Sequence, residues 1–148
     1  LRWHILPKAD LLTPNRPEAE LLADMKIDSE KDIDVAARKL IDMGPKAVLI
    51  KGGHFGSASA AEFTDWLALP DEPLIALKQP GVKTSNNHGT GCTLSAAIAT
   101  YLGLGLGIRD AIVHAQKFLN HCLRHGYAPG LGAGPPNHAS WIAKRVGE

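Results

Sequence analysis

The chain has 148 residues, 45% hydrophobic and 21% charged, with a formal net charge of +1. That length supports one domain with its own core, and the composition is that of a globular protein. A charge so near zero gives no electrostatic case for nucleic acid or a membrane surface, and no run of about 18 apolar residues exists to span a bilayer.

The chain begins at Leu1, and Leu1–Pro7 reads as the tail of something earlier, so residues are expected upstream. Ala9–Thr13 suits a short strand stopped by Pro14. Thr13–Pro17 is then a turn, and Pro17 belongs to the first turn of a helix that continues through Glu18–Leu22. A second helix starts near Ser29, where Asp32 three residues on resembles a capping box. Its buried stripe is Ile33, Ala36, Ala37, Leu40 and Ile41, and Gly44-Pro45 ends it. Ala47–Ile50 is an unbroken apolar run after a helix, as expected of a parallel strand covered on both faces. Glu62–Leu69 and Glu72–Lys78 read as two strands of a hairpin around Pro70–Pro73. A helix then carries Leu94, Ala97, Ile98, Tyr101 and Leu102 on one face and ends near Gly103–Gly107. The next begins around Arg109-Asp110, with Ile112, Ala115, Leu119, Cys122 and Leu123 inward. Tyr127–Asn137 is loop, and His138–Val146 a last short helix. The order predicts an α/β domain with a mixed sheet. Cys92 and Cys122 fall in helical segments, which argues for a reducing, cytoplasmic setting rather than a disulfide scaffold.

The stretch Asn86–Ala97 carries the strongest chemical signal. Gly89 and Gly91 permit a tight turn, and the loop delivers free backbone N–H groups to a helix start, which attracts anions and phosphate above all. Cys92 stands where the positive end of a helix favours a thiolate. One reading is an anion hole of Gly89, Thr90, Gly91 and Cys92 amides, with Cys92 as base or nucleophile; such donors contribute roughly 3–4 kcal/mol each to a transition state. The plainer reading is a glycine turn with a buried structural cysteine. The loop is neither a GxxxxGK[ST] phosphate loop nor a GxGxxG dinucleotide fingerprint.

Three weaker constellations accompany it. Asn15 and Glu18, three apart at a helix start, offer oxygens to a hydrated Mg²⁺, or are simply a turn Asn and a dipole-favoured Glu. Lys51, with Gly52 and Gly53 at a strand's carboxyl end, can place an ammonium by phosphate, or is a surface lysine before a turn. His114, His121 and His125 share a helix face near Cys122. His114 lies almost two turns, about 10 Å, from His121, too far for one mononuclear metal site, so a polar, solvated face is expected.

Asn87–Ala97 closely resembles the signature of the hydroxymethylpyrimidine/phosphomethylpyrimidine kinases of the thiamine pathway. Thr13-Pro14-Asn15 with Glu18-Ala19-Glu20, then Val48–His54, then Gly132, Gly134-Pro135 and His138 resemble further markers in the family's order, so that the resemblance covers nearly the whole chain. It implies a ribokinase-like α/β fold, a central, mostly parallel sheet flanked by helices. Residues 1–148 would be the C-terminal part of one kinase domain. It implies phosphorylation of 4-amino-5-hydroxymethyl-2-methylpyrimidine and its monophosphate with ATP and Mg²⁺. By the same resemblance Gly89, Thr90, Gly91 and Cys92 hold the transferring phosphoryl group. Cys92 takes the base position that most ribokinase-like enzymes give to aspartate, and covalent nucleophile is its lesser alternative. Asn15 and Glu18 match an Asn-x-x-Glu element that places Mg²⁺ and phosphate, and Lys51, with Gly53 beside it, serves nucleotide charge. Family members are usually much longer; the part without a match here carries the first strands and most pyrimidine contacts. An exposed apolar sheet edge then invites pairing, by a homo-oligomer (a dimer) or by an N-terminal segment. Pyridoxal kinase activity on the same fold and a non-catalytic nucleotide- or phosphate-binding remnant are the alternatives.

Overall fold

A computed structural model describes residues 4–52 and 62–146. The chain divides into two compact units, Leu1–Gln79 and Pro80–Glu148.

In the first unit, helix α1 (Arg16–Ala23) is opened by Asn15 and α2 (Glu30–Ile41) by Ser29, whose side chain accepts the Asp32 N–H. Each cap satisfies an amide the helix cannot, an effect of about 1 kcal/mol. The expected stripe on α2 is inward: Ile33, Ala36, Ala37 and Leu40 are buried, while Ile41 is half-buried at the edge. They meet Ala19 and Ala23 of α1 and strand β1 (Val48–Ile50), all three of whose residues are buried. Each of the larger aliphatic side chains contributes about 1.5–3 kcal/mol by leaving water.

Strand β2 (Glu62–Ala68) runs antiparallel to β1 with Val48 opposite Ala68, Leu49 opposite Leu67 and Ile50 opposite Trp66. Strand β3 (Ile75–Pro80) pairs with β2, giving the order β1-β2-β3. Residues 69–74 are too few for a parallel crossover, which needs about a dozen, so β2 and β3 form the expected hairpin. Arg38 of α2 holds its connection, donating to the carbonyls of Leu69 at 2.9 Å and Glu72 at 2.6 Å.

The strand expected over Ala9–Thr13 is reduced to isolated parallel bridges, Leu12 to Val48 and Asn15 to Lys51. The cause is Pro14. The Leu12 N–H donates to Ala47 O at 2.9 Å, and Leu12 O accepts the Leu49 N–H at 2.8 Å. The next donor in that parallel register would be the amide of residue 14, and proline has none. The ladder resumes with the Lys51 N–H on Pro14 O at 2.8 Å.

In the second unit α3 (Thr90–Gly103), α4 (Ile108–Arg124) and α5 (Ala139–Val146) follow in order. Leu94 and Ile98 are buried, with Ala97, Tyr101 and Leu102 half-buried around them. On α4 Ile112, Ala115 and Cys122 face inward as expected. Leu119 and Leu123 are only half-buried, and Ala111 and the polar Gln116 lie deeper than either. Burial pushes the Cys122 thiol up to about 11. Among the described residues no helix is long and apolar enough to cross a membrane.

Candidate functional site

The Gly89–Cys92 loop is set by one backbone choice. Gly89 caps α3 at φ 82° and ψ 8°, in the left-handed region, and no side chain caps the helix. A residue with a Cβ resists that conformation. The turn starts the helix abruptly: the Thr93 N–H closes the first turn on Gly89 O at 2.9 Å, and the Thr90 N–H reaches Asn87 O at 3.4 Å. The amides of Gly91 and Cys92 have no protein acceptor among the described residues, which leaves two donors at the positive end of a 14-residue helix. Cys92 is exposed on this first turn. The buried structural cysteine that the plainer reading requires is Cys122, not Cys92.

The loop is braced by residues downstream. The His88 N–H donates to Gly134 O at 3.2 Å, and the Gly134 N–H donates to Asn86 Oδ1 at 3.1 Å. Any side chain at position 134 would overlap the Tyr127 carbonyl oxygen and stand 2.6 Å from Asn86 Oδ1, so only glycine permits this approach. Thr93 Oγ1 and His138 Nε2 are 2.9 Å apart. Asn86, Thr93 and His138 lie inside the stretches singled out in the sequence, but nothing in their spacing announced these bonds; the polar side chain of Thr93 on an inward helix position was the available signal.

In the first unit Asn15, Glu18 and Lys51 come together at the carboxyl end of β1. Asn15 is bridged to Lys51. Asn15 and Glu18 form a reciprocal capping box: Asn15 Oδ1 accepts the Glu18 N–H at 2.9 Å, and Glu18 Oε2 accepts the Asn15 N–H at 2.8 Å. Glu18 Oε1 takes no part in the box, and both residues are exposed. A carboxylate oxygen and an amide oxygen with spare lone pairs suit a hydrated Mg²⁺ better than a dehydrated one. Beyond Lys51, the Gly52 N–H donates at 2.8 Å to Asp65 Oδ1 on β2, a fixing contact that sequence reading missed because it joins residues 13 apart. Gly53 and His54 lie outside the described residues. Beside α1, Leu12, Thr13, Pro14, Glu18, Leu21 and Leu22 line a mostly apolar pocket of about 330 Å³.

The histidine face of α4 is not uniformly solvated. His121 and His125 stack with ring centroids 4.3 Å apart, and Trp141 meets His121 edge-on at 5.3 Å. His121 Nε2 is buried there without a hydrogen-bond partner. His114 stands apart, 5.4 Å from the Tyr101 ring. Among the described residues no group of three or more His, Cys, Asp or Glu is placed to hold a metal.

A family model described as phosphomethylpyrimidine kinase matches residues 1–137. A hydroxymethylpyrimidine/phosphomethylpyrimidine kinase of Synechococcus elongatus is 46% identical over 140 residues, covering 93% of this chain and 51% of the relative. Among solved structures, the pyridoxal kinase from Staphylococcus aureus in complex with ADP superposes with a TM-score of 0.86 at 30% identity, over 95% of this chain and 51% of that one. The phosphomethylpyrimidine kinase from Clostridium difficile 630 does so with a TM-score of 0.63 at 32% identity, over 80% and 45%. The chain spans about half the length of the relatives it matches.

Proposed function

The chain belongs to the phosphomethylpyrimidine kinase family, with a ribokinase-like fold, and from that membership we propose that it carries the phosphate-handling part of an ATP-dependent pyrimidine kinase. The acceptors in this reading are 4-amino-5-hydroxymethyl-2-methylpyrimidine and its monophosphate, in thiamine biosynthesis in the cytoplasm. The observation that carries it is the uncapped start of α3, where Gly91 and Cys92 present two unbonded amides behind the left-handed Gly89. Phosphoryl transfer asks mainly for positioning and charge stabilisation, and such amides supply both without reorganising.

The roles follow. The Gly91 and Cys92 amides, on the turn that Gly89 and Thr90 form, hold the oxygens of the transferring group. Cys92 Sγ, exposed on the same turn, accepts the proton of the acceptor hydroxyl as that oxygen takes the phosphoryl group. Asn15 and Glu18, through the lone pairs their capping box leaves over, would hold a hydrated Mg²⁺, which would neutralise phosphate charge. Lys51 adds an ammonium at the same end of β1, and Gly53, two residues on in the sequence, belongs to the same reading. In this reading residues 1–148 form the C-terminal part of one ribokinase-like domain, and turnover needs the remainder, from the same polypeptide or from a partner in a dimer. The half-length match to the relatives supports this.

Pyridoxal as acceptor is the second reading, favoured by the higher TM-score to a pyridoxal kinase; a phosphate-binding remnant is the third. The test measures ATP consumption with hydroxymethylpyrimidine, its monophosphate and pyridoxal in parallel. It uses the chain alone and joined to the complementary half of the Synechococcus relative. Pyrimidine turnover lost in Cys92→Ala is the expected result. Turnover of pyridoxal alone selects the second reading, no turnover in the joined protein the third, and turnover unchanged in Cys92→Ala removes the base assignment.

A further inference from the structure

The segment 134–138 reaches the Gly89–Cys92 cradle at both ends. Upstream it exchanges two hydrogen bonds, with His88 and with the side chain of Asn86. Downstream His138 Nε2 meets Thr93 Oγ1 at 2.9 Å. Between those anchors the cradle's own bonds include the Gly89–Thr93 turn bond, the long Thr90–Asn87 contact and the Ser95 hydroxyl on Gly91 O at 3.0 Å. The segment is itself rooted on α4: the Asn137 N–H donates to Cys122 O at 2.9 Å, and the His138 ring lies nearly parallel to Phe118, with centroids 6.0 Å apart.

Resting on the reading of this loop as a phosphate cradle, we infer that His138 is a positioning residue for the reaction. Through the Thr93 hydroxyl it fixes the rotation of the first turn of α3, and so the direction of the Gly91 and Cys92 N–H groups. Thr93 makes the link effective because it serves twice. Its amide closes the first turn, and the residue is only 9% exposed, so its hydroxyl has little water to turn to. A buried hydroxyl without a partner is costly, so Thr93 follows His138 rather than swinging free. The bond forms with either atom as donor, since the imidazole tautomer and the hydroxyl rotor adjust to each other.

The test is a double-mutant cycle on the 148-residue chain with His138→Phe, which keeps the ring against Phe118, and Thr93→Val, which keeps the shape. Two quantities are read: amide hydrogen exchange at Thr93 relative to Ile98 and Ala115, and ADP affinity in the presence of Mg²⁺. Each single variant is expected to speed Thr93 exchange about fivefold relative to the other two sites and to weaken ADP by a similar factor, as for one hydrogen bond. The double variant should be no worse than either, and His138→Gln and Thr93→Ser should recover most of the loss. Should His138→Phe fail to fold, Thr93→Val with its Thr93→Ser rescue carries the comparison. Unchanged Thr93 exchange, a loss spread evenly over all three sites, or losses that multiply in the double variant overturn the inference. A wild-type chain that binds no ADP counts against the phosphate reading instead, and the exchange data still decide whether His138 holds the turn.

Discussion

Gly89→Ala isolates the backbone choice on which the cradle depends. A Cβ built at Gly89 meets nothing within 4 Å, so the substitution adds no clash; its whole cost is the left-handed φ of 82°. An L-residue there loses about 1–2 kcal/mol. The lower entropy of the unfolded alanine chain returns about 0.4–1 kcal/mol. The net is a destabilisation of about 1 kcal/mol, roughly fivefold in the folding equilibrium. Gly103→Ala is the matched control, because its added methyl also meets nothing and its φ is not positive. At that helical position the same entropy term, unopposed, stabilises by about 0.4–1 kcal/mol. The entropy term cancels between the two alanine variants, so they should differ by about 1–2 kcal/mol in guanidinium melts followed by circular dichroism. Gly89→Asn, which tolerates the left-handed region, should fall between. ADP affinity should drop in Gly89→Ala and stay at the wild-type level in Gly103→Ala. Equal shifts for the two alanines, or a stabilised Gly89→Ala, would refute the claim that conformation at residue 89 sets this turn.

Three further outcomes are expected. With Ellman's reagent at pH 8, one thiol reacts quickly and the second only on unfolding, because Cys92 is exposed while burial pushes Cys122 up to about 11; two fast thiols would contradict the packing of α4. The carboxyls of Glu20 and Asp32 sit below their ordinary values of 4.5 and 3.8, Glu20 chiefly through the Ile27 N–H and then Lys26, Asp32 chiefly through the Ser29 hydroxyl and then the Asp28 N–H. Depressed carboxylates stabilise above their unfolded values, and the contribution is lost as pH falls through the folded ones. Stability should thus decline below about pH 4, and the decline should be shallower in Asp32→Asn. Asn15→Ala should cost about 1 kcal/mol through the lost cap in the same melts, while Glu18→Gln keeps the box and hence the stability, yet weakens the Mg²⁺ dependence of ADP binding.

Local signals carried far in this chain. Ser29, the α2 stripe, the buried β1 and the hairpin follow from caps and periodicity, which act over a few residues. The weak points are long-range or negative. The Ala9–Thr13 segment has strand composition, but whether it forms a ladder depends on one missing proline N–H at the point where β1 offers Leu49 O, which the local pattern does not contain. On α4 the expected Leu119 and Leu123 yield their places to Ala111 and Gln116, because which edge of an apolar stripe lies deepest depends on the neighbours packed against it. At the site, Asn86–Ala97 announced a glycine turn into a helix. The partners that hold it, Gly134 and His138, lie more than 40 residues further along and become legible only when the fold brings them back.

The three-residue spacing of Asn15 and Glu18 is over-determined, which is why the sequence alone could not choose between helix cap and magnesium element. A capping box needs an amide or hydroxyl oxygen at the cap and a carboxylate or carboxamide three residues on; a hydrated cation asks for the same two oxygens at nearly the same separation. The structure shows that the demands do not compete. The box occupies one lone pair of Asn15 Oδ1 and the Oε2 atom of Glu18, leaving Oε1 and the remaining lone pairs outside the box on two exposed residues. The hydrogen bonds that start the helix also restrain both side chains. A cap that leaves lone pairs over adds no further ordering entropy, so the proposed cation role would place no extra demand on this pair of residues.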